Sequence, residues 1–230
     1  MQKKEHLIYW VYPLLIALLL ISIYYLNPLG MGTWVAPQFN REFGILENLQ
    51  LVFIAMSFVF AYQGYKRSLG SLFKRGIFIS ILIITALVFL EEMDYGLHYY
   101  NAIMGIESES TTINVQGTEV RNIHNIGKTT HYLKLIVYAG MILLFVILPW
   151  VHNKKPIQNK GLQFLIPNAK VGLTLLVMFA VNQFALQMES LFYESGVEHA
   201  LKSNVSEFEE LLIYYIGMLY IRDLKSACKN

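Results

Sequence analysis

Apolar residues in this chain gather into long runs, and short basic, acidic or amide-rich stretches separate them. Runs at residues 7–26, 45–65, 77–95, 131–151 and 164–188 reach or approach the roughly 20 residues that carry a helix across a hydrocarbon core about 30 Å thick, and a shorter run covers 207–221. This pattern predicts an all-α, polytopic transmembrane helical bundle of about six spans, forming one domain over residues 1–230. The first run follows Lys3 and Lys4 as a secretory signal would, but Asn27-Pro28-Leu29-Gly30 offers no small-x-small cleavage site, so a retained helix is expected.

Basic residues orient the bundle, because Lys and Arg close to span ends stay on the cytoplasmic side. Twelve of the 18 fall before the first span, between spans two and three, between spans four and five, or after span six. Both termini are therefore expected in the cytoplasm, and a multi-pass location in a bacterial inner or plasma membrane follows. Fourteen of the 16 acidic residues then lie on or near the opposite face, a concentration that orientation alone does not require.

Composition agrees: 55% of residues are apolar, 14% aromatic and only 15% charged, which does not describe a soluble domain. The net charge of +2 adds little, and nothing points to nucleic acid as a partner. A single cysteine, Cys228, rules out an intrachain disulfide and a cysteine-based metal cluster. No Gly-rich phosphate loop or dinucleotide fingerprint occurs, so no nucleotide cofactor is expected.

The candidate chemistry centres on the end of the third run, Glu91-Glu92-Met93-Asp94-Tyr95-Gly96-Leu97-His98. A carboxylate at the centre of a membrane helix costs roughly 2.5–3.5 kcal/mol on insertion scales, which makes intramembrane charge a mark of function. If the helix continues through Tyr95, then Glu91, Asp94 and His98 share one face and Glu92 is turned away. No helix-capping role explains the three carboxylates, since a helix C-terminus disfavours negative charge. A divalent metal, zinc first among the choices, is one compensation, with Glu91, Asp94, His98, His124 and His131 as ligands. Shared protons are another, with Glu91, Glu92, Asp94 and His124 as acid, base or relay groups. Amides and carboxylates elsewhere on the same side, namely Asn114, Gln116, Glu119, Asn125, Gln183, Gln187 and Glu210, would hold a polar headgroup.

Several of these have plainer readings. Ser206 to Glu209 fits a capping box, and Glu207 and Glu209 complement a helix N-terminus, which is the better reading of that pair. Glu47 has the same explanation, Gln183 and Gln187 suit helix–helix hydrogen bonds, and His131 suits an interface.

The runs Glu91-Glu92-Met93-Asp94-Tyr95-Gly96, Asn114-Val115-Gln116-Gly117 and Asn122-Ile123-His124-Asn125 resemble the motifs of a family of small, largely uncharacterised bacterial polytopic membrane proteins. That family carries Glu-Glu-aliphatic-Ser-Trp-Gly-Gln, then Asn-x-Gln-Gly-Glu, then Leu-His-Asn. The likeness covers about 35 residues; Asp94, Tyr95 and Leu97 replace the serine, tryptophan and glutamine, and Glu119 is displaced beyond Gly117. It implies that Glu91, Glu92, Gly96, Asn114, Gln116, His124 and Asn125 belong to one site. In chemical logic alone the set is similar to intramembrane zinc hydrolases of the alkaline ceramidase and adiponectin receptor type, whose seven spans and final histidine pair this chain lacks.

The expectation is an integral membrane enzyme, a metal- or carboxylate/histidine-dependent hydrolase or transferase whose partner is membrane lipid or a lipid-linked substrate at the extracytoplasmic leaflet. A cation or proton transport component is the first alternative, and it requires polar groups continuing through the bundle. An accessory subunit that docks a partner through its acidic loops is the second.

Overall fold

The computed structural model describes residues 2–37, 43–105, 113–115, 118–120, 129–193 and 205–228. Each long apolar run is helical. Helix α4 spans Ile45–Arg67, α5 Leu72–Glu92 and α10 Lys170–Tyr193. Helix α7, Thr129–Ile142, passes through a single π turn, Leu143–Ile147, into α8, Leu148–Lys154, where Pro149 stands in the first turn. The helix is continuous there, with Leu148 N donating to Leu143 O five residues back, and the wider π turn sits next to the position where Pro149 offers no N–H. Four stretches, Ile45–Arg67, Leu72–Glu92, Lys134–Lys154 and Lys170–Phe192, are long and apolar enough to cross a membrane. A fifth is a bent pair, Val11–Leu26 with Pro28–Val35, which turns through 105°.

Prolines and left-handed residues set the breaks. Helix α1, Gln2–Tyr9, separates from α2, Val11–Leu26, because Pro13 has no N–H for the carbonyl four residues back. That carbonyl, Tyr9 O, accepts from Thr174 Oγ1 at 2.5 Å instead, and Ile8 O accepts from Tyr215 Oη at 2.5 Å. Past α2, Asn27 (φ 44°), Leu29 (φ 55°) and Gly30 (φ 79°) reverse the chain, and Asn27 Oδ1 accepts from Gly32 N at 2.8 Å at the start of α3, Gly32–Val35. The fifth expected span, 164–188, is instead two helices. Helix α9, Lys160–Leu165, stops before Pro167, and α10 starts afresh with Asn168 Oδ1 accepting from Lys170 N at 3.1 Å.

The third span also ends earlier than expected. Helix α5 stops at Glu92, Tyr95 (φ 55°) and Gly96 (φ 83°) turn the chain, and α6 follows over Leu97–Met104. A short antiparallel hairpin comes next, β1 Ile113–Val115 with β2 Thr118–Val120, in a register that pairs Asn114 with Glu119.

The sixth helix departs most from expectation. Helix α11 covers Ser206–Ala227, reaching well beyond 207–221, and it is the axis of the molecule. It packs on α4, α10 and α2 and buries Phe208, Leu211, Leu212, Ile216 and Leu219, yet it does not meet the apolarity needed to cross lipid alone. Neighbouring helices shield it, so its surface need not resemble hydrocarbon. Helix α5 is the converse: Phe78 is its one buried residue among those described. It meets α4 where Phe78 fills the space over Gly64, and a Cβ on Gly64 would lie 2.2 Å from the ring.

Candidate functional site

The polar side chains of the bundle collect at its two ends. At one end, α4, α7 and α11 start and α5 finishes, and carboxylates dominate there. On α4 the buried positions are Leu46, Gln50, Ile54, Ser57, Ala61 and Gly64, the three- and four-residue spacing of one helix face. That face packs on α11, so Gln50 carries an amide into the first turn of α11. Its Nε2 donates to Glu207 Oε2 at 3.2 Å and to Glu207 O at 3.4 Å. Its Oε1 is buried and accepts no hydrogen bond from the described residues.

Glu207 and Glu209 stand in the first turn of α11 as expected, but no capping box forms, and at 5% and 4% exposure both are buried. The N-cap position is Val205, no side chain caps the helix, and Ser206 is the first helical residue. Both carboxylates still benefit from the positive end of the α11 dipole, but both are turned into the bundle. Tyr138 of α7 hydrogen-bonds to Glu209. One turn earlier on α7, Lys134 Nζ lies 2.8 Å from Glu210 Oε1 and 3.0 Å from Ser206 Oγ. Tyr214 Oη donates to Glu92 Oε1 at 2.6 Å and so ties α11 to the end of α5. The result is an acid-rich group of Glu92, Glu207, Glu209 and Glu210, interleaved with Gln50, Tyr138, Tyr214 and Lys134.

Glu91 belongs to a different contact. Its Oε2 accepts from Tyr95 Oη at 2.5 Å across the turn that ends α5. Hydrogen bonding to this carboxylate pushes the Tyr95 phenol above its ordinary range. The continuous helix on which Glu91, Asp94 and His98 would share a face is broken by the left-handed Tyr95 and Gly96. Lys134 pairs with Glu210 and not with an α5 carboxylate among the contacts described. Gln183 and Gln187 are exposed on α10.

Gln116, His124 and Asn125 lie outside the described residues, as do the side chains of Asp94, His98, Asn114, Glu119 and His131. Of the expected metal ligands only Glu91 has a described side chain, and among the described residues no three His, Cys, Asp or Glu side chains converge as a metal set.

The opposite end is basic and self-paired. Tyr9 Oη donates to Asp223 Oδ2 at 2.8 Å and accepts from Arg222 Nη2 at 2.8 Å, and Arg222 and Asp223 are joined at 3.0 Å. Lys225 Nζ donates to Gln63 Oε1 at 3.1 Å. A cleft of about 630 Å³ opens here between Tyr9, Asn168, Arg222 and Asp223, but these charged groups already satisfy one another.

Sequence reasoning passed over Tyr138 and Tyr214 and read Glu207 and Glu209 as caps. The spacing of Gln50 within the apolar stripe of α4 was the available signal, since a polar residue in phase with Leu46 and Ile54 must face the same neighbour.

In comparisons with known proteins, no family model, curated protein or solved structure matches this chain.

Proposed function

We propose that the chain is an integral membrane protein of about six spans with both termini cytoplasmic. Its carboxylate end is an acid–base site that works as a hydrolase or transferase on a lipid or lipid-linked substrate at the extracytoplasmic leaflet. The observation that carries this reading is the burial of two carboxylates, Glu207 and Glu209, beside a buried amide and a tyrosine hydroxyl in one helical turn. Burying a charge without compensation is costly, so such groups persist where chemistry or binding uses them. Glu209 and Tyr138 form a proton-exchanging pair, Lys134 supplies positive charge for a developing oxyanion, and the Gln50 amide orients a polar group.

The topology rests on the separation of charge. Lys66, Arg67, Lys74, Arg75, Lys154, Arg222 and Lys225 stand at or just beyond the helix ends remote from Glu92 and Glu207, the cytoplasmic side under the positive-inside rule. Helix α11 supplies the sixth crossing as an enclosed helix. Against the transport alternative, the hydroxyls lower in the bundle bond to backbone: Ser57 Oγ donates to Phe53 O and Thr174 Oγ1 to Tyr9 O. They lay no chain of exchangeable partners through the core.

Purified protein in vesicles containing mixed phospholipids and lipid-linked sugars tests the reading, with products followed by mass spectrometry. Glu209→Gln and Tyr138→Phe should each lower turnover about 10²–10⁴-fold while the protein still folds. No product from the wild type, or turnover at the wild-type rate by both variants, rejects it. Zinc bound by Glu91, Asp94, His98, His124 and His131 would add a Lewis acid, and metal analysis of the wild type against Glu91→Ala tests that component.

A further inference from the structure

Gln50 carries an atom that the fold leaves unused. The residue is 1% exposed, its Nε2 is committed to two oxygens of Glu207, and its Oε1 has no hydrogen-bond partner among the described residues. Rotating the amide by half a turn does not help, because Oε1 would then face the Glu207 carbonyl and carboxylate while the Nε2 donors lost their acceptors. A buried acceptor without a donor forfeits its hydration for nothing in return. The site is therefore built for something that donates.

Three features narrow the donor. Glu207 and Glu209 stand in the same turn at 5% and 4% exposure, so positive charge is favoured. A metal ion requires ligand oxygens converging to about 2.0–2.6 Å, and no three acidic or imidazole side chains converge so among the described residues. An ammonium instead directs three N–H bonds outward to acceptors at about 2.7–3.2 Å, which suits acceptors set further apart. The neighbouring turn already shows this chemistry, since the Lys134 ammonium is held by the Glu210 carboxylate and the Ser206 hydroxyl at 2.8 and 3.0 Å.

We propose that Gln50 Oε1 and the Glu207 carboxylate form the recognition site for a protonated primary amine. This deepens the acid–base reading above, on which it rests for the side of the membrane, and gives the substrate class as amine-bearing. The amine is either a lipid headgroup or a small soluble compound, and the same three donors serve in both.

The test reads binding by thermal unfolding of the protein in nanodiscs. One arm adds ethanolamine or choline to phosphatidylcholine discs; choline has the charge without the N–H donors. The other compares discs of phosphatidylethanolamine mixed with phosphatidylcholine against phosphatidylcholine alone. Ethanolamine at about 100 times its Kd should raise the wild-type Tm by about 5–10 °C, and choline should not. Gln50→Met, with a side chain of similar volume, removes the orphaned oxygen but also both donors to Glu207, so it should unfold below the wild type and lose the response. Glu207→Gln should lose it as well, and it carries the test alone if Gln50→Met does not fold. A rise confined to phosphatidylethanolamine discs assigns the site to a lipid headgroup, and a rise with free ethanolamine assigns it to a soluble amine. No amine-dependent rise in either arm, or a rise retained by the variants, overturns the proposal. Because binding is read without turnover, an amine response from a protein that makes no product upholds the site and rejects the acid–base reading. Turnover without an amine response does the reverse.

Discussion

Tyr214 Oη lies 2.6 Å from Glu92 Oε1, and this hydrogen bond joins the most enclosed helix of the bundle to the least enclosed one. Helix α5 buries only Phe78 among its described residues, so apolar packing does little to hold its carboxylate end. Tyr214→Phe should therefore cost about 1–3 kcal/mol, the usual loss when a buried polar partner is left unmatched. Hydrogen exchange should speed up over the last turn of α5 more than over α4. Glu92→Gln keeps an acceptor and should be milder.

The contact between α4 and α5 depends on a missing side chain. A Cβ at position 64 would stand 2.2 Å from the Phe78 ring, well inside contact distance. Gly64→Ala should destabilise by about 1–3 kcal/mol through overpacking, despite the better helix propensity of alanine. Adding Phe78→Leu should recover part of the loss in a double-mutant cycle of unfolding free energies.

Pro13 and Thr174 form a donor–acceptor exchange across 161 positions of sequence: the proline leaves Tyr9 O without its helical donor, and the threonine hydroxyl replaces it at 2.5 Å. Thr174 is fully buried, so Thr174→Val should cost about 1–3 kcal/mol and Thr174→Ser much less. Equal stability of the two variants would show that the hydroxyl contributes nothing.

Cys228 is the only thiol in the chain and stands at the basic end, which makes it a reporter of sidedness. Partial burial pushes its pKa up, opposed by Lys74 and Arg67. Since the thiolate is the reactive form, a raised pKa means slow alkylation at neutral pH that climbs by about tenfold per pH unit on the alkaline side. An impermeant maleimide should label inverted vesicles in this manner and leave intact cells unlabelled. Labelling of intact cells at the same rate would place this end outside.

The long apolar helices were readable because their signal is local: a run such as the one ending at Glu92 needs no neighbour to identify it. Their boundaries were less so. Pro167 announced a break in the fifth run, but the turn at Tyr95 did not, because a tyrosine at φ 55° carries no composition cue. At the site, Glu92 and Glu210 were visible as polar residues near one end. Glu207 and Glu209 were misread because a glutamate in the first helical turn looks the same whether it faces solvent or a neighbouring helix. Only the docking of α4 and α7 on α11 decides between them, and that information lies in residues more than 60 positions away.

The position of α11 bears on how the protein is made. This helix follows the other described helices in synthesis, and its charged first turn and modest apolarity would hold it poorly in lipid by itself. On the six-span topology proposed above, the earlier helices must therefore present a prepared receptacle before α11 leaves the translocon. A substitution that loosens that receptacle should act first as a biogenesis defect, stranding the last helix outside the bilayer, with loss of yield preceding any loss of activity per molecule.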